Sequence, residues 1–519
     1  MNGAETLVRT VAGAGVEVCF ANPGTTEMHL VQALDDVGGI RPVLGLFEGA
    51  CTGAADGYAR MAGRPAMTLL HLGPGMANGI ANLHNAHRAR TPLLSVVGDH
   101  ATSHRGRGAP LETDIESLAR PVSKWVRTSA TAGAVARDAA EALGVATSAP
   151  AGVVSLIVPA DCAWGDAPGP AEPVPAAPPA PVADAAVAAS AAVLAGDGPA
   201  TLLLGAGALT ERGLRAAARV AAATGCRLMA ETFPARVERG GDLPVVPRLP
   251  YFPEEATAAL AQGTAVVLAG AMEPTAFFGY PGLPSELAPP GMAVETLAEP
   301  GQDAPEALER LAERAGAPDR APAPRAPVAG RGDAAPAPDA PLEPLAAVRI
   351  LAALQPEGAI VVDEGLTLSA DYVAASAGAP RHTYLALTGG AIGFGLPAAA
   401  GAAVACPDRP VVCLQADGSG MYTAQALWTH ARERLDITTV VVANRSYRIL
   451  IEELRRAGVE DPKPGARSMT SLGEPALDWV ALATGLGVPA ARATTTGELD
   501  AELRRALAEP GPHLVEMVL

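Results

Sequence analysis

Apolar residues along this chain come in two rhythms. Short unbroken runs rich in Val, Ile and Leu alternate with longer Ala-rich stretches of helical character. In the first part, "AMTLLHL", "PLLSVVGD" and "GVVSLIVP" read as strands; in the middle, "ATLLLGAG", "CRLMAE" and "TAVVLAG"; at the end, "AIVVDEG", "PVVCLQAD", "ITTVVVAN" and "PHLVEMVL". A strand that is apolar on both faces belongs in a parallel sheet covered by helices on both sides. The pattern therefore predicts an α/β chain of consecutive doubly wound parallel sheets.

Two stretches break the rhythm. "GDAPGPAEPVPAAPPAPVADAA", about 165–186, and "APDRAPAPRAPVAGRGDAAPAPDAPLEP", about 317–344, carry too much Pro to continue a helix or a ladder. They divide the 519 residues into blocks 1–165, 183–318 and 343–519, in keeping with a length too great for one ordinary core.

Composition narrows the partners. With 49% apolar residues a large interior is expected, and the formal net charge of −17 argues against nucleic acid, whose phosphates need a basic footprint. No apolar run suits a membrane span, and "MNGAETLVRT" lacks the features of a signal peptide, so a cytoplasmic location is expected. The cysteines (19, 51, 162, 226, 406 and 413) show no CxxC or zinc spacing and read as small buried residues.

The chemistry concentrates in "LQADGSGMYTAQALWTHARERLDITTVVVANRSY", residues 414–447. "VVCLQAD" reads as a strand, "MYTAQALWTHARERL" as its crossover helix and "ITTVVVAN" as the next strand. Such a crossover brings both carboxyl ends to one sheet edge, where these sheets bind ligands, and so sets Asp417 beside Asn444. A carboxylate, an amide oxygen and phosphate oxygens form a hard cage for Mg²⁺ or Ca²⁺. On spacing alone, an Asp and an Asn ending two ordinary strands is an open alternative.

Asp-Gly-Ser followed by Asn at this distance resembles the diphosphate-and-metal motif of thiamine diphosphate enzymes of the acetolactate synthase/benzoylformate decarboxylase superfamily. The family form is Gly-Asp-Gly-Ser with a terminal Asn-Asn; here Ala416 and Ala443 replace the first residue of each, while Asp417 and Asn444 are kept. The resemblance covers essentially the whole chain. It implies pyrimidine-binding, central and diphosphate-binding domains in that order, and a metal held by Asp417, Asn444 and the carbonyl of Ser446. It places Gly418, Ser419 and Tyr447 at the cofactor. In "VVDEGLTLSAD" it sets Leu366 and Thr367 near the diphosphate. In "LTGGAIGFGLPAAAG" it gives the carbonyl of Gly390 to the 4′-amino group and makes Ile392 the bulky residue that bends the cofactor.

Such a cofactor needs a carboxylic acid at its pyrimidine nitrogen. "GLFEGACTGAADGYARMAGRPA" supplies Glu48, ahead of Ala55-Asp56-Gly57-Tyr58-Ala59-Arg60, which matches the family context. Without the family, Glu48 reads equally well as an acidic residue favoured at a helix start. In the family this Glu and the metal ligands meet across a subunit interface. The resemblance therefore implies at least a homodimer, and commonly a homotetramer.

The substrate side is less determined. "FANPGTTEM" resembles the loop beneath pyrimidine and substrate, with Pro23 and Gly24 at the cofactor and Thr25 facing the substrate carboxylate. "LLHLGPGMANG" puts His71 at a proton-relaying position, or else in the common role of capping a strand, and puts Asn78 beside the cofactor. The second catalytic His of benzoylformate decarboxylase finds no equivalent in "ETFPARVERGGDLPVVPRLP", where Asp242 falls roughly in its place. His100 and His104 are further candidates, each readable as a loop residue. Pro110-Leu111-Glu112 replaces the Phe-Gln-Glu of acetolactate synthases. Gly205-x-Gly207 is too incomplete to favour FAD or another nucleotide in the middle block.

The expected function is thiamine diphosphate- and Mg²⁺-dependent decarboxylation of a 2-oxo acid with carboligation to a carbonyl acceptor, as in acetolactate synthase. The alternatives are a simple 2-oxo acid decarboxylase of the benzoylformate type and a catalytically silent cofactor-binding homologue. A nicotinamide-dependent dehydrogenase fits least.

Overall fold

The computed structural model describes residues 1–321 and 337–519, and most of the second Pro-rich stretch lies outside them. Strands β1 (Val18–Asn22), β2 (Arg41–Leu44), β3 (Ala66–Leu70), β4 (Leu93–Asp99), β5 (Trp125–Thr128) and β6 (Val153–Pro159) form one sheet in the order β2-β1-β3-β4-β6-β5. Every pairing is parallel. The runs read from the sequence supply its centre, since β3, β4 and β6 are buried throughout. The edge strands β2 ("RPVL") and β5 ("WVRT") carry Arg and Pro, as edges tolerate.

Further on come β7 (Ala200–Leu204), β8 (Arg227–Ala230), β9 (Val237–Arg239), β10 (Ala265–Ala269) and β11 (Ala293–Ala298). The last group is β12 (Ile360–Glu364), β13 (His382–Ala386), β14 (Val411–Ala416), β15 (Ile437–Ala443), β16 (Ala490–Ala493) and β17 (His513–Val518). The chain gathers into two compact units. One contains Met1–Ala177, residues 337–373 and Leu387–Leu519; the other contains residues 178–321 with Ala374–Ala386.

In the first unit β12, β14, β15, β17 and β16 lie side by side in that order, all parallel. In the second, β11-β10-β7-β8 is parallel, and β9 pairs antiparallel with β13. The parallel α/β class expected from the apolar runs is the class found. No described helix is long and apolar enough to cross a membrane.

Two helices made of small residues hold the first unit together. Glu48–Ala62 is buried at every residue from Glu48 to Met61. It lies against Gly395–Ala405 so closely that a Cβ on Gly57 would sit 2.1 Å from the Ala398 carbonyl oxygen, and one on Gly401 would sit 1.8 Å from that of Ala54. The segment "MYTAQALWTHARERL" is shorter as a helix than the sequence suggested, regular only over Ala426–Arg432. The amides of Tyr422 and Thr423 instead bond back three residues to Ser419 and Gly420, and the Thr423 hydroxyl donates to Gly393 O at 2.9 Å. All six cysteines are free, and burial pushes Cys19 up to about 12 and Cys51 higher still.

Candidate active site

Asp417 and Asn444 stand where two neighbouring parallel strands end, Ala416 of β14 being paired with Val442 of β15. The Asp417 carboxylate is buried, and its two oxygens accept from Gly418 N–H at 2.8 Å and Arg445 N–H at 2.7 Å. Burial pushes this carboxyl above its ordinary range, while those two amides pull the other way. Asn444 Oδ1 accepts from the amide of Ser446 at 3.0 Å and from its hydroxyl at 3.2 Å, which folds the chain into a tight turn. Arg445 takes a positive φ of 55° in that turn, and Tyr447 is tied to Thr470 O. Gly418 leaves little room for a side chain, since a Cβ there would meet the Tyr447 ring at 2.6 Å unless that ring moved.

These groups fit a hard cation. The described residues bring no three His, Cys, Asp or Glu side chains together as a metal set. One carboxylate, one amide oxygen and a backbone carbonyl are what Mg²⁺ accepts when phosphate oxygens complete its shell. A cation would also offset the cost of burying Asp417.

The glycine-rich stretch expected to hold the aminopyrimidine is pinned from several sides. Gly390 is exposed with φ of 75°, and Ile392 beside it is half-buried. Gly393 N–H donates to Glu364, and its carbonyl accepts from Thr423 and Asn82. Asn85 reaches Ala391 O at 2.8 Å, and Arg60 donates to Thr388 Oγ1 at 3.1 Å. Arg60 itself forms a buried bidentate pair with Asp56 and lies 4.7 Å above the Phe394 ring. The "DGYAR" segment thus fastens the glycine loop. Leu366, with φ of 52°, and the exposed Thr367 open the turn after β12.

Glu48 is the first residue of its helix and 8% exposed, and its Oε2 accepts from Asn78 Nδ2 at 2.9 Å. Asn78 was expected beside the cofactor; the structure shows it orienting the Glu48 carboxylate.

At the edge formed by β1, β3 and β4 the structure adds a residue that the sequence did not single out. His71 Nδ1 lies 2.7 Å from Glu27 Oε2, and Glu27 is fully buried. The same carboxylate accepts from Gly24 N–H at 2.7 Å and from Thr26 Oγ1 at 2.5 Å. Two glycines make room for this pair: a Cβ on Gly24 would strike the His71 ring at 2.3 Å, and one on Gly98 would strike Glu27 Oε1 at 1.6 Å. A carboxylate on Nδ1 leaves Nε2 as the exchanging nitrogen. Thr25 is exposed beside them, following Pro23.

Other candidates fall elsewhere. Asp242 sits in exposed ion pairs with Arg215 at 2.7 Å and Arg381 at 3.0 Å, the first of which chiefly holds its carboxyl low. Glu112 accepts from the amides of Gly106 and Gly108 and so staples its own loop. The rings of His100 and His104 meet at a tilt of 59°, with centroids 5.2 Å apart. Gly205 is explained by packing, since a Cβ there would sit 2.7 Å from Gly270 O.

Comparison with known proteins gives the family. The profile described as "Thiamine pyrophosphate enzyme, N-terminal TPP binding domain" matches residues 1–118, and its C-terminal counterpart matches residues 367–517. A Mycobacterium tuberculosis protein, provisionally named acetolactate synthase large subunit IlvX, is 52% identical over 100% of this chain and 99% of its own. Benzoylformate decarboxylase of Pseudomonas aeruginosa is 31% identical over 97% of this chain and 96% of its own. Among solved structures, the thiamine diphosphate-dependent 4-hydroxybenzoylformate decarboxylase of Rhodococcus jostii RHA1 superposes with a TM-score of 0.86 at 26% identity, covering 99% of this chain and 98% of that one. The chain belongs to the thiamine pyrophosphate enzymes, in a group whose members include decarboxylases and acetolactate synthases.

Proposed function

We propose that this enzyme uses thiamine diphosphate and Mg²⁺ to decarboxylate a 2-oxo acid and to join the remaining acyl unit to a carbonyl acceptor. The observation that carries the reading is the adjacency of Asp417 and Asn444 at the ends of β14 and β15, beside a glycine loop held in place. Thiamine diphosphate, when bound, supplies a carbon nucleophile and an electron sink for the carboxylate's departure. Asp417, Asn444 and the Ser446 carbonyl would hold the cation, and Gly418, Ser419 and Tyr447 would shape the turn for the diphosphate. Leu366 and Thr367 would border it, while Gly390 and Ile392 would serve the aminopyrimidine. Glu48, its carboxyl oriented by Asn78, would face the pyrimidine nitrogen. His71, backed by Glu27, gives or takes a proton at Nε2, and Pro23, Gly24 and Thr25 face the substrate.

A second reading, simple decarboxylation to an aldehyde, is favoured by the His71–Glu27 pair, because a well-placed proton donor diverts the acyl unit to protonation. We infer a homodimer or larger assembly in which Glu48 of one copy serves the Asp417 turn of another. Met421, Tyr422, Leu450 and Met469 stand exposed around that turn, as an interface would require.

The test is CO₂ release from pyruvate, branched and aryl 2-oxo acids with thiamine diphosphate and Mg²⁺, with products identified. Acyloin supports the first reading and aldehyde the second. Loss of release in Glu48→Gln is expected for both, and a fully active Glu48→Gln overturns the role given to that residue.

A further inference from the structure

The ends of β12 and β14 carry a buried polar cluster centred on Glu364. Glu364 is 1% exposed, and both of its carboxylate oxygens are engaged. Oε1 accepts from Gly393 N–H at 2.7 Å; Oε2 accepts from Gly395 N–H at 2.7 Å and from Gln415 Nε2 at 2.9 Å. Gln415, also fully buried, accepts from Leu396 N–H at 3.2 Å through its carbonyl. Its amide nitrogen donates a second time, to Ser419 Oγ at 2.7 Å, and that hydroxyl donates to Ala416 O at 3.2 Å. An amide nitrogen has two protons and both are used, so the orientation of Gln415 follows from its neighbours.

Three donors converge on Glu364, so the group fits as a carboxylate; a proton on it would face donors only. Its burial is costly and pushes the carboxyl above its ordinary range, against the pull of those donors. Glycine is needed at both loop positions. Gly393 has φ of 95°, and a Cβ on Gly395 would sit 2.4 Å from Gln415 Oε1. Glu364 reaches two loop amides directly and, through Gln415, the first turn after Asp417.

We infer that Glu364 is a positioning residue that locks the glycine loop 390–395 to the turn 417–420, setting both cofactor-facing segments in register before any ligand arrives. The inference rests on the cofactor site given under Proposed function. Holding the two segments in place in the free protein removes an ordering cost from binding. Glu364 itself touches no reacting atom.

The test uses the full-length apo-protein. Glu364→Gln keeps the shape but exchanges one acceptor for a donor among donors. Hydrogen exchange by mass spectrometry should show peptides over 388–396 losing protection in the variant while 437–443 stays protected. Calorimetric titration with thiamine diphosphate and Mg²⁺ should show affinity weakened about 10- to 100-fold, as for other outer-shell partners. The apparent cofactor KM should rise more than kcat falls. Should Glu364→Gln not fold, two other variants decide. Glu364→Asp keeps the charge but is too short to span both glycine amides, and Thr423→Val removes one of the two donors that hold the Gly393 carbonyl. Weakened uptake in these supports the inference. Wild-type uptake and exchange in the variants overturns it, provided the wild-type protein binds the cofactor. A wild-type chain that takes up no thiamine diphosphate instead overturns the functional reading, and this inference with it.

Discussion

Acidification offers a sharp test of the packing behind the glycine loop, through His430. Its ring is fully buried on the helix Ala426–Arg432, and Nε2 lies 2.9 Å from the carbonyl oxygen of Leu396, near the start of Gly395–Ala405. Among the described residues Nδ1 is buried with no hydrogen-bond partner. The neutral ring, donating from Nε2, satisfies that bond; a second proton would place an unpaired donor and a charge in an apolar interior. Burial lowers His430 from 6.5 to about 4, with the Leu396 carbonyl opposing. Because the folded-state value is depressed, the unfolded chain takes up the proton first as pH falls. Stability from this group is therefore intact above 6.5 and is lost progressively between 6.5 and about 4. At about 1.4 kcal/mol per pKa unit, that interval corresponds to a loss of about 3 kcal/mol. His430→Gln keeps a neutral donor that can reach Leu396 O and cannot titrate. Urea unfolding of both proteins, compared at about pH 7.5 and about pH 4.5, should show the wild type losing about 2–3 kcal/mol more than the variant. Equal losses in the two proteins would refute the reasoning, because they would mean that His430 finds an acceptor or water when protonated.

Other expectations follow from the site. Glu27→Gln leaves His71 without its charged partner and should lower kcat by about 10²-fold or more with little change in KM, measured on whichever 2-oxo acid is turned over. Asp417→Asn should weaken Mg²⁺-dependent uptake of thiamine diphosphate by more than the about 10–100-fold that losing an outer-shell partner costs, read by calorimetry. Gly401→Ala drives a methyl into the Ala54 carbonyl, a backbone atom that cannot turn aside. It should cost at least the about 1–3 kcal/mol of an overpacked core, seen as a lowered unfolding midpoint or loss of soluble protein. Arg60→Met strands Asp56, which among the described residues keeps the Thr91 hydroxyl at 2.6 Å, and should cost about 3–5 kcal/mol. Much of that should return in Asp56→Leu/Arg60→Met.

The chain's local patterns determined a good deal by themselves. The central strands were legible because a strand buried on both faces needs an unbroken apolar run, as in "TTVVVA" and "VVSLIV". Asp417 and Asn444 could be paired because one crossover step fixes which strand ends meet, and Glu48 could be set at a helix start because that is a local event, its role being implied only by the family resemblance. The edge strands were not legible: "RPVL" and "AARA" bury little and carry no pattern. Only the tertiary structure decided what surrounds the site. Glu27 meets His71 across 44 residues, Glu364 meets Gly395 across 31, and Arg60 meets Thr388 across 328. Such bonds are chosen by which side chains the packed sheets bring within about 3 Å, where a buried polar group must find a partner or bear its desolvation. No periodicity in the sequence records that choice. The glycines at 24, 98, 395 and 401 mark it only by what they leave out, since each is small because a neighbour distant in sequence already occupies the space a side chain would take.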